Sequence, residues 1–295
     1  MLLIGQRITI ATPSVRRALE ARRAAPIQGL ARRQALAGAR ALDLNVGFLP
    51  EADAVEQLAW TVGMVQEAVA LPLSLDSVHP AAIAAGLAVC RGEALINSCT
   101  ADPEKLAALL PLAAARRCQV IVLPLDGREM PATARERVDL VRERVLPAAV
   151  HHGVPPEALL VDVLVPALGT GAARVLQALG TARLVRKELG LRTLAGLGNI
   201  AYGASPEMKG PLQIALLAML AGAGLDAAIL DPLNPELMGV ARALATGHPA
   251  SPGEEFCLQL EATYRGAAAG GAGLLSQGSG PLAEALAALE GRAWA

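Results

Sequence analysis

The sequence predicts an α/β chain folded as a (β/α)8 TIM barrel with a short C-terminal extension. Three observations predict it. Short apolar runs alternate with helical stretches from Leu2 to Gly247. Eight such strand-helix units follow one another, the number that closes a parallel sheet on itself. Most of the apolar runs also end on a short acid or amide, and in a barrel those strand ends converge on one mouth. An open, doubly wound sheet is the other arrangement of the same units.

Leu2 to Thr9 reads as the first strand, and Ser14 is placed to cap the helix VRRALEARR. Pro26 opens a second helical stretch, IQGLARRQALAGA. ALDLNV is the second strand, followed by a helix from about Ala52 to Val69. PLSLDS is the third strand, and Pro80 starts the helix AAIAAGLAV. ALINS is the fourth; Asp102 and Pro103 open the next helix, with Pro in the first turn where its missing N–H is not needed. QVIVLPL is the fifth strand, followed by the helix ARERVDLVRERVLPAAVHH. ALLVDVLV is the sixth, before the helix ARVLQALGTARLVRKEL. LRTLAGLGNI is the seventh strand, before PLQIALLAMLAG. LDAAILD is the eighth, and its helix PELMGVARALATG stops at Gly247. The strands are mostly apolar on both faces, as a parallel sheet covered by helices requires.

A chain of 295 residues suits one such barrel with an appendage. The barrel is expected over residues 1–250, and residues 251–295 form the extension. There a Gly/Ala-rich linker (Gly266 to Gly273) precedes a short amphipathic helix, PLAEALAALEGRA. Hydrophobic residues make up 53% and aromatics 2%, so Leu, Ala and Val do the packing. A net charge of −1 argues against a nucleic-acid partner. No apolar run reaches the roughly 18 residues of a membrane span. MLLIGQRITI reads as a strand and not as a signal peptide, so a cytoplasmic location is expected. Cys90, Cys99, Cys118 and Cys257 lack C-x-x-C spacing, which argues against a resident metal and suits a reducing compartment. Seven arginines between Arg16 and Arg40 face only one acid, Glu20, and read as a solvated helix face or a patch for an acidic partner. Of the four histidines, His79 follows directly on a strand end.

The strand-end set is Asp43, Asn45, Asp76, Asn97, Asp126, Asp162, Asn199 and Asp231. Short acids and amides around one ring suit a flat ligand with an alternating row of donors and acceptors. A carboxylate accepts two parallel N–H bonds, and an amide meets a donor and an acceptor together.

At LDLNVG, LDS, INS, LVD and GLGN, in that order and at barrel spacing, the chain resembles the pterin-binding methyltransferases. These take the methyl group of 5-methyltetrahydrofolate to a corrinoid. The likeness is closest to the stand-alone methyltetrahydrofolate:corrinoid/iron-sulfur protein methyltransferases, and more distant to the folate module of cobalamin-dependent methionine synthase. It runs from about Met1 to Gly247 and implies a homodimer. It also implies that Asp76, Asn97 and Asp162 hold the pterin edge, that Gly196 lets backbone approach the ring, and that Asn199 contacts the methyl-bearing N5 and is the catalytic group. Asp43, Asn45, Ser77, Asp126, Tyr202 and Asp231 are further candidates. The chain departs from the family pattern at Gln6 and Thr9, where an acid and an amide are usual, and at Gly198 and Ala201, where hydroxyls are usual. No cobalamin-binding D-x-H-x-x-G signature occurs, so a corrinoid would arrive on a partner protein. A dihydropteroate synthase-like condensation would want basic side chains at the ends of strands seven and eight, where GlyAsnIleAla and AspProLeuAsn stand. A non-catalytic pterin-binding subunit is the third reading.

Overall fold

The computed structural model describes residues 1–127 and 130–270. Eight strands pair in sequence order into a closed barrel: β1 (Leu2–Thr9), β2 (Ala41–Asn45), β3 (Leu73–Asp76), β4 (Ala94–Thr100), β5 (Gln119–Leu123), β6 (Leu159–Asp162), β7 (Arg192–Gly196) and β8 (Ala227–Leu230). Every pairing is parallel, and β8 returns to β1 with Leu2 opposite Ala227 and Gly5 opposite Leu230.

Side-chain alternation along a strand sends every second residue into the barrel. Ile4, Ala41, Leu95, Ile121, Leu160, Leu194 and Ala227 meet there as one apolar layer that plugs the interior. The residues between them point outward, as Leu42, Leu44, Leu73 and Leu75 do, each at most 1% exposed beneath the helices. Two residues further along each strand, toward its C-terminal end, the inward position becomes the mouth. That step runs from Ile4 to Gln6, Ala41 to Asp43, Leu95 to Asn97, Leu160 to Asp162 and Leu194 to Gly196. The apolar layer is thus the floor of a polar cup.

The outer ring comprises α1 (Pro13–Glu20), α2 (Ala24–Leu36), α3 (Glu51–Gln66), α4 (Pro80–Val89), α5 (Pro103–Arg116) and α6 (Ala134–Leu140). A π-helical turn at Val141–Val145 carries α6 into α7 (Leu146–His151). Then come α8 (Ala172–Leu184), α9 (Pro206–Gly222) and α10 (Pro235–Thr246). α1 starts one step before the expected cap: Thr12 holds the cap position with Pro13 in the first turn. Thr133 and Glu136 form a reciprocal capping box on α6, and the Asn234 side chain accepts from the Glu236 and Leu237 N–H groups at the start of α10. No helix among the described residues is long and apolar enough to cross a membrane.

A last helix, α11 (Pro252–Gly270), packs back on the barrel. A Cβ at Gly222 of α9 would lie 2.3 Å from the Glu261 carbonyl oxygen, so the two helices touch backbone to backbone there. Arg183 of α8 donates to the Tyr264 carbonyl at 2.6 Å. The expected linker therefore begins as helix, because its alanines propagate α11 through Gly270. The remainder of that stretch and the expected terminal helix lie outside the described residues.

Candidate functional site

A cavity of about 330 Å³ opens at the C-terminal end of the barrel. Gln6, Arg7, Thr9, Asp43, Asn45, Asp76, Asn97, Asp162, Gly196, Gly198, Asn199 and Ile229 line it. The register explains the clustering. Asn45 stands opposite Asp76, and Asp76 opposite Asn97, so three adjacent strands present amide, acid and amide in one row.

That row is wired internally. Asp43, 4% exposed, accepts from Ser74 Oγ at 2.6 Å and from Asn97 Nδ2 at 2.9 Å. Asn45 Nδ2 donates to Asp76, while Asn45 Oδ1 accepts from Gly47 N at 3.0 Å and fixes the turn after β2. Burial pushes the Asp43 carboxyl up, and its bonds from Ser74 and Asn97 hold it back only in part. Asp76 is pushed up further, by burial and then by the charge of Asp43 beside it. At neutral pH this pair disfavours a second negative charge.

Asp162 is held differently. Leu164 N donates to Asp162 Oδ1 at 2.7 Å, and Leu164 takes a left-handed φ of +54°, unusual for a branched residue. Arg137 of α6, 2% exposed, stabilises this loop: its Nη1 donates to the Val163 carbonyl at 2.7 Å and the Leu164 carbonyl at 3.2 Å. Burial lifts the Asp162 carboxyl to about 6, against the Leu164 N–H and the Arg137 charge, which both lower it. Arg137 carries no sequence signal, since an Arg in an amphipathic helix reads as surface.

Across the cup the chemistry changes. Gly196 ends β7, and Asn199 follows in a 3-10 turn, Leu197–Ala201. A Cβ at Gly196 would lie 3.4 Å from Asn199 Nδ2, so the glycine leaves room for the amide. From β1 come Gln6, Arg7 and Thr9, none of them a candidate at the level of sequence. Arg7 alone among the lining residues is cationic, and its Nη1 lies 3.4 Å from Asp231 Oδ2.

The other expected residues stand around the cup. Ser77 is one residue past the inward position of β3; it is buried, and its Oγ accepts from His79 N at 3.2 Å. Leu123 takes the inward position of β5, and Asp126 lies beyond the strand, paired with Arg144 at 2.9 Å. Tyr202 is 81% exposed on the loop after β7. Asp231 faces Arg7 and also accepts from Leu233 N at 2.9 Å. His79 begins α4 with Nε2 at 3.0 Å from the Leu49 carbonyl, joining two rim loops.

A closed parallel barrel whose strand ends carry this acid-and-amide row agrees with the comparisons. The family described as pterin binding enzyme matches residues 11–231, and the chain belongs to that family. A methylcorrinoid:tetrahydrofolate methyltransferase of Eubacterium limosum is 31% identical over 242 residues, covering 81% of this chain and 88% of that protein. Methionine synthase of Mycobacterium tuberculosis is 27% identical over 241 residues, covering 78% of this chain but only 20% of the larger protein. Among solved structures, dihydropteroate synthase from Xanthomonas albilineans in complex with 7,8-dihydropteroate superposes with a TM-score of 0.62 at 22% identity, over 83% of this chain and 93% of that one. The Yersinia pestis dihydropteroate synthase with a sulfonamide drug complex gives 0.65 at 17% identity, over 84% and 94%. At such identities the likeness is one of fold.

Proposed function

We propose that the chain is a methyltransferase that moves the N5-methyl group of 5-methyltetrahydrofolate, or of a related methylpterin, to the Co(I) centre of a corrinoid held by a partner protein. The observation that carries the reading is the opposition within one cup. An acid-and-amide row from β2, β3, β4 and β6 faces an amide, Asn199, with no side-chain partner among the described residues. The relative at 31% identity is named for transfer in the other direction, and one transition state serves both directions.

A pterin offers N–H donors along its amino-pyrimidinone edge. Asp162 suits two of them once ionised, with its Oδ1 already oriented by Leu164 N. Asp76 and Asn97 lie side by side for the rest of the edge. A site built this way rejects analogues that lack those groups, because its buried polar atoms would be left unpaired.

The Co(I) corrinoid, as the second substrate, would supply the electron pair that forms the new bond to carbon, and the carbon–nitrogen pair stays on N5, which takes its proton from solvent at the open mouth. The difficulty lies in that leaving group. Asn199 meets it with an amide that donates to an unprotonated N5 or accepts from N5–H, so it can follow the proton. An interaction that strengthens as the bond breaks is the kind that accelerates the step. The corrinoid carries the demanding redox chemistry, and the barrel supplies binding and orientation.

Of the cavity-lining residues only Arg7 is basic, and it faces Asp231, which disfavours a diphosphate-bearing substrate of the condensing enzymes. The test is single-turnover methyl transfer between methyltetrahydrofolate and a Co(I) corrinoid, beside calorimetric binding of the pterin. Binding without transfer to any corrinoid would leave a pterin-binding subunit instead.

A further inference from the structure

β1 contains an irregularity that reshapes the mouth. Gly5 pairs with Leu42 and Ile8 with Leu44, so Gln6 and Arg7 together stand opposite the single residue Asp43. Two residues against one is a bulge, the device that re-aims side chains near a site. Here both Gln6 and Arg7 line the cavity, although simple alternation would send one of them outward.

The bulge is fixed from behind. Gln34 of α2 is 0% exposed, and its Oε1 accepts from Arg7 N at 2.9 Å. It can reach that N–H only because residue 5 is glycine: a Cβ there would lie 2.6 Å from the same oxygen. On the cavity side, Gln6 lies over Gly198. An ideal Cβ at Gly198 would be 3.5 Å from Gln6 Oε1 and 3.6 Å from Nε2, so the carboxamide fills the space next to Asn199. The acids of the cup are bonded to Ser74, Asn97, Asn45 and Leu164, whereas the half-buried Gln6 amide makes no hydrogen bond within the described residues.

We infer that Gln6, inward by alternation from Ile4, is a second amide that contacts the substrate at its reacting edge, beside Asn199, while the β1 bulge turns Arg7 into the cavity next to it. The inference rests on the proposed methyl transfer. Gln6 offers a donor and an acceptor on one rigid plane. Neither is engaged within the described residues, so both are open to the reacting edge of the ring. Asn199 then stays turned toward the departing nitrogen, because Gln6 occupies the space over Gly198.

The test measures single-turnover methyl transfer at saturating methyltetrahydrofolate, and pterin Kd by calorimetry, for the full chain, Gln6→Ala, Gln6→Met and Gln6→Ala/Gly198→Ser. Gln6→Met keeps the volume and removes the hydrogen bonds. Both single variants should lose about tenfold in rate with a much smaller change in Kd, the split left by a contact made mainly in the transition state. The serine hydroxyl, placed where the amide stood, should restore part of the rate. A Gln6→Met rate within about twofold of the unaltered chain would reduce Gln6 to packing and overturn the inference. Equal losses in rate and affinity would make it a clamp away from the reacting edge, which also overturns it. An unaltered chain that binds the pterin but transfers no methyl overturns the function first, and this inference with it.

Discussion

The two halves of the barrel mouth are built from opposite materials. β2, β3, β4 and β6 contribute Asp43, Asp76, Asp162 and the amides Asn45 and Asn97, and each of these side chains has a partner inside the protein. β1, β8, β7 and the turn after it contribute Gln6, Arg7, Thr9, Ile229, Gly196, Gly198 and Asn199, none acidic, with both amides free of protein partners among the described residues. On the proposed reading the first half holds the part of the pterin that never changes, so a fixed, internally wired surface suits it. The second half meets the nitrogen that loses its methyl group and gains a proton. Groups that can donate or accept, with glycines that keep backbone out of the way, suit that task.

Breaking the second half should therefore cost rate, and breaking the first should cost affinity. The largest effect is expected for Asn199→Ala, which should lower the single-turnover rate on the order of 100-fold while changing pterin Kd far less. Parallel losses in the two quantities would erase the distinction between the halves. Asp162→Ala should weaken pterin binding by about 1.5–3 kcal/mol, the scale of a charge-assisted hydrogen bond, with the fold intact by circular dichroism. Unchanged calorimetric binding would remove Asp162 from the edge.

The pH dependence sharpens the same contrast. On the proposed reading Asp162 accepts from the pterin when ionised, and burial holds its pKa at about 6. Affinity should rise between roughly pH 5 and 7 in the unaltered chain, and that rise should disappear in Asp162→Asn. A flat profile in both would assign the edge contact elsewhere.

The smallest effect is one of stability and has an unusual sign. Because Asp162 keeps its proton to about 6 when folded but only to 3.8 as an exposed carboxyl, the folded chain binds more protons between those values. Stability therefore falls as pH rises through that window, and the ionised buried carboxylate remains a cost above it. Asp162→Asn, which keeps an acceptor for Leu164 N, should raise stability at pH 8 by on the order of 1–2 kcal/mol while losing pterin affinity. Denaturant titrations at pH 4 and pH 8 measure it; a gain equal at both values would trace it to something other than the charge.

Much of the acidic half was legible in the sequence. Asp43, Asp76, Asn97 and Asp162 each end an apolar run at the inward parity of their strand, and period-two alternation is a local property. The same logic accounts for the residues that stand elsewhere. Asp126 is carried past the end of β5, where the inward position has gone to Leu123, and Ser77 is one step out of phase and turns to cap the next helix. Gln6 has the inward parity of β1 but stands in mid-strand and not at the strand end, and Arg7 was not legible, because a bulge breaks the parity from which facing is read. That bulge depends on Gln34, 27 residues from Arg7 along the chain.

The sequence by itself determined the eight strand-helix units, their order and the polar residue at the end of most strands, because propensity, turn residues and alternation act over a few neighbours. The tertiary structure alone decided which of those residues share one cavity and how each is charged. The row Asn45–Asp76–Asn97 exists only through the register of three strands, and the raised carboxyl of Asp76 depends on burial and on Asp43 from another strand. The loop that presents Asp162 is held by Arg137, a helix residue buried only once α6 is packed on the barrel. Register, burial and charge coupling are set by groups distant in the chain, and come into being only when the barrel closes.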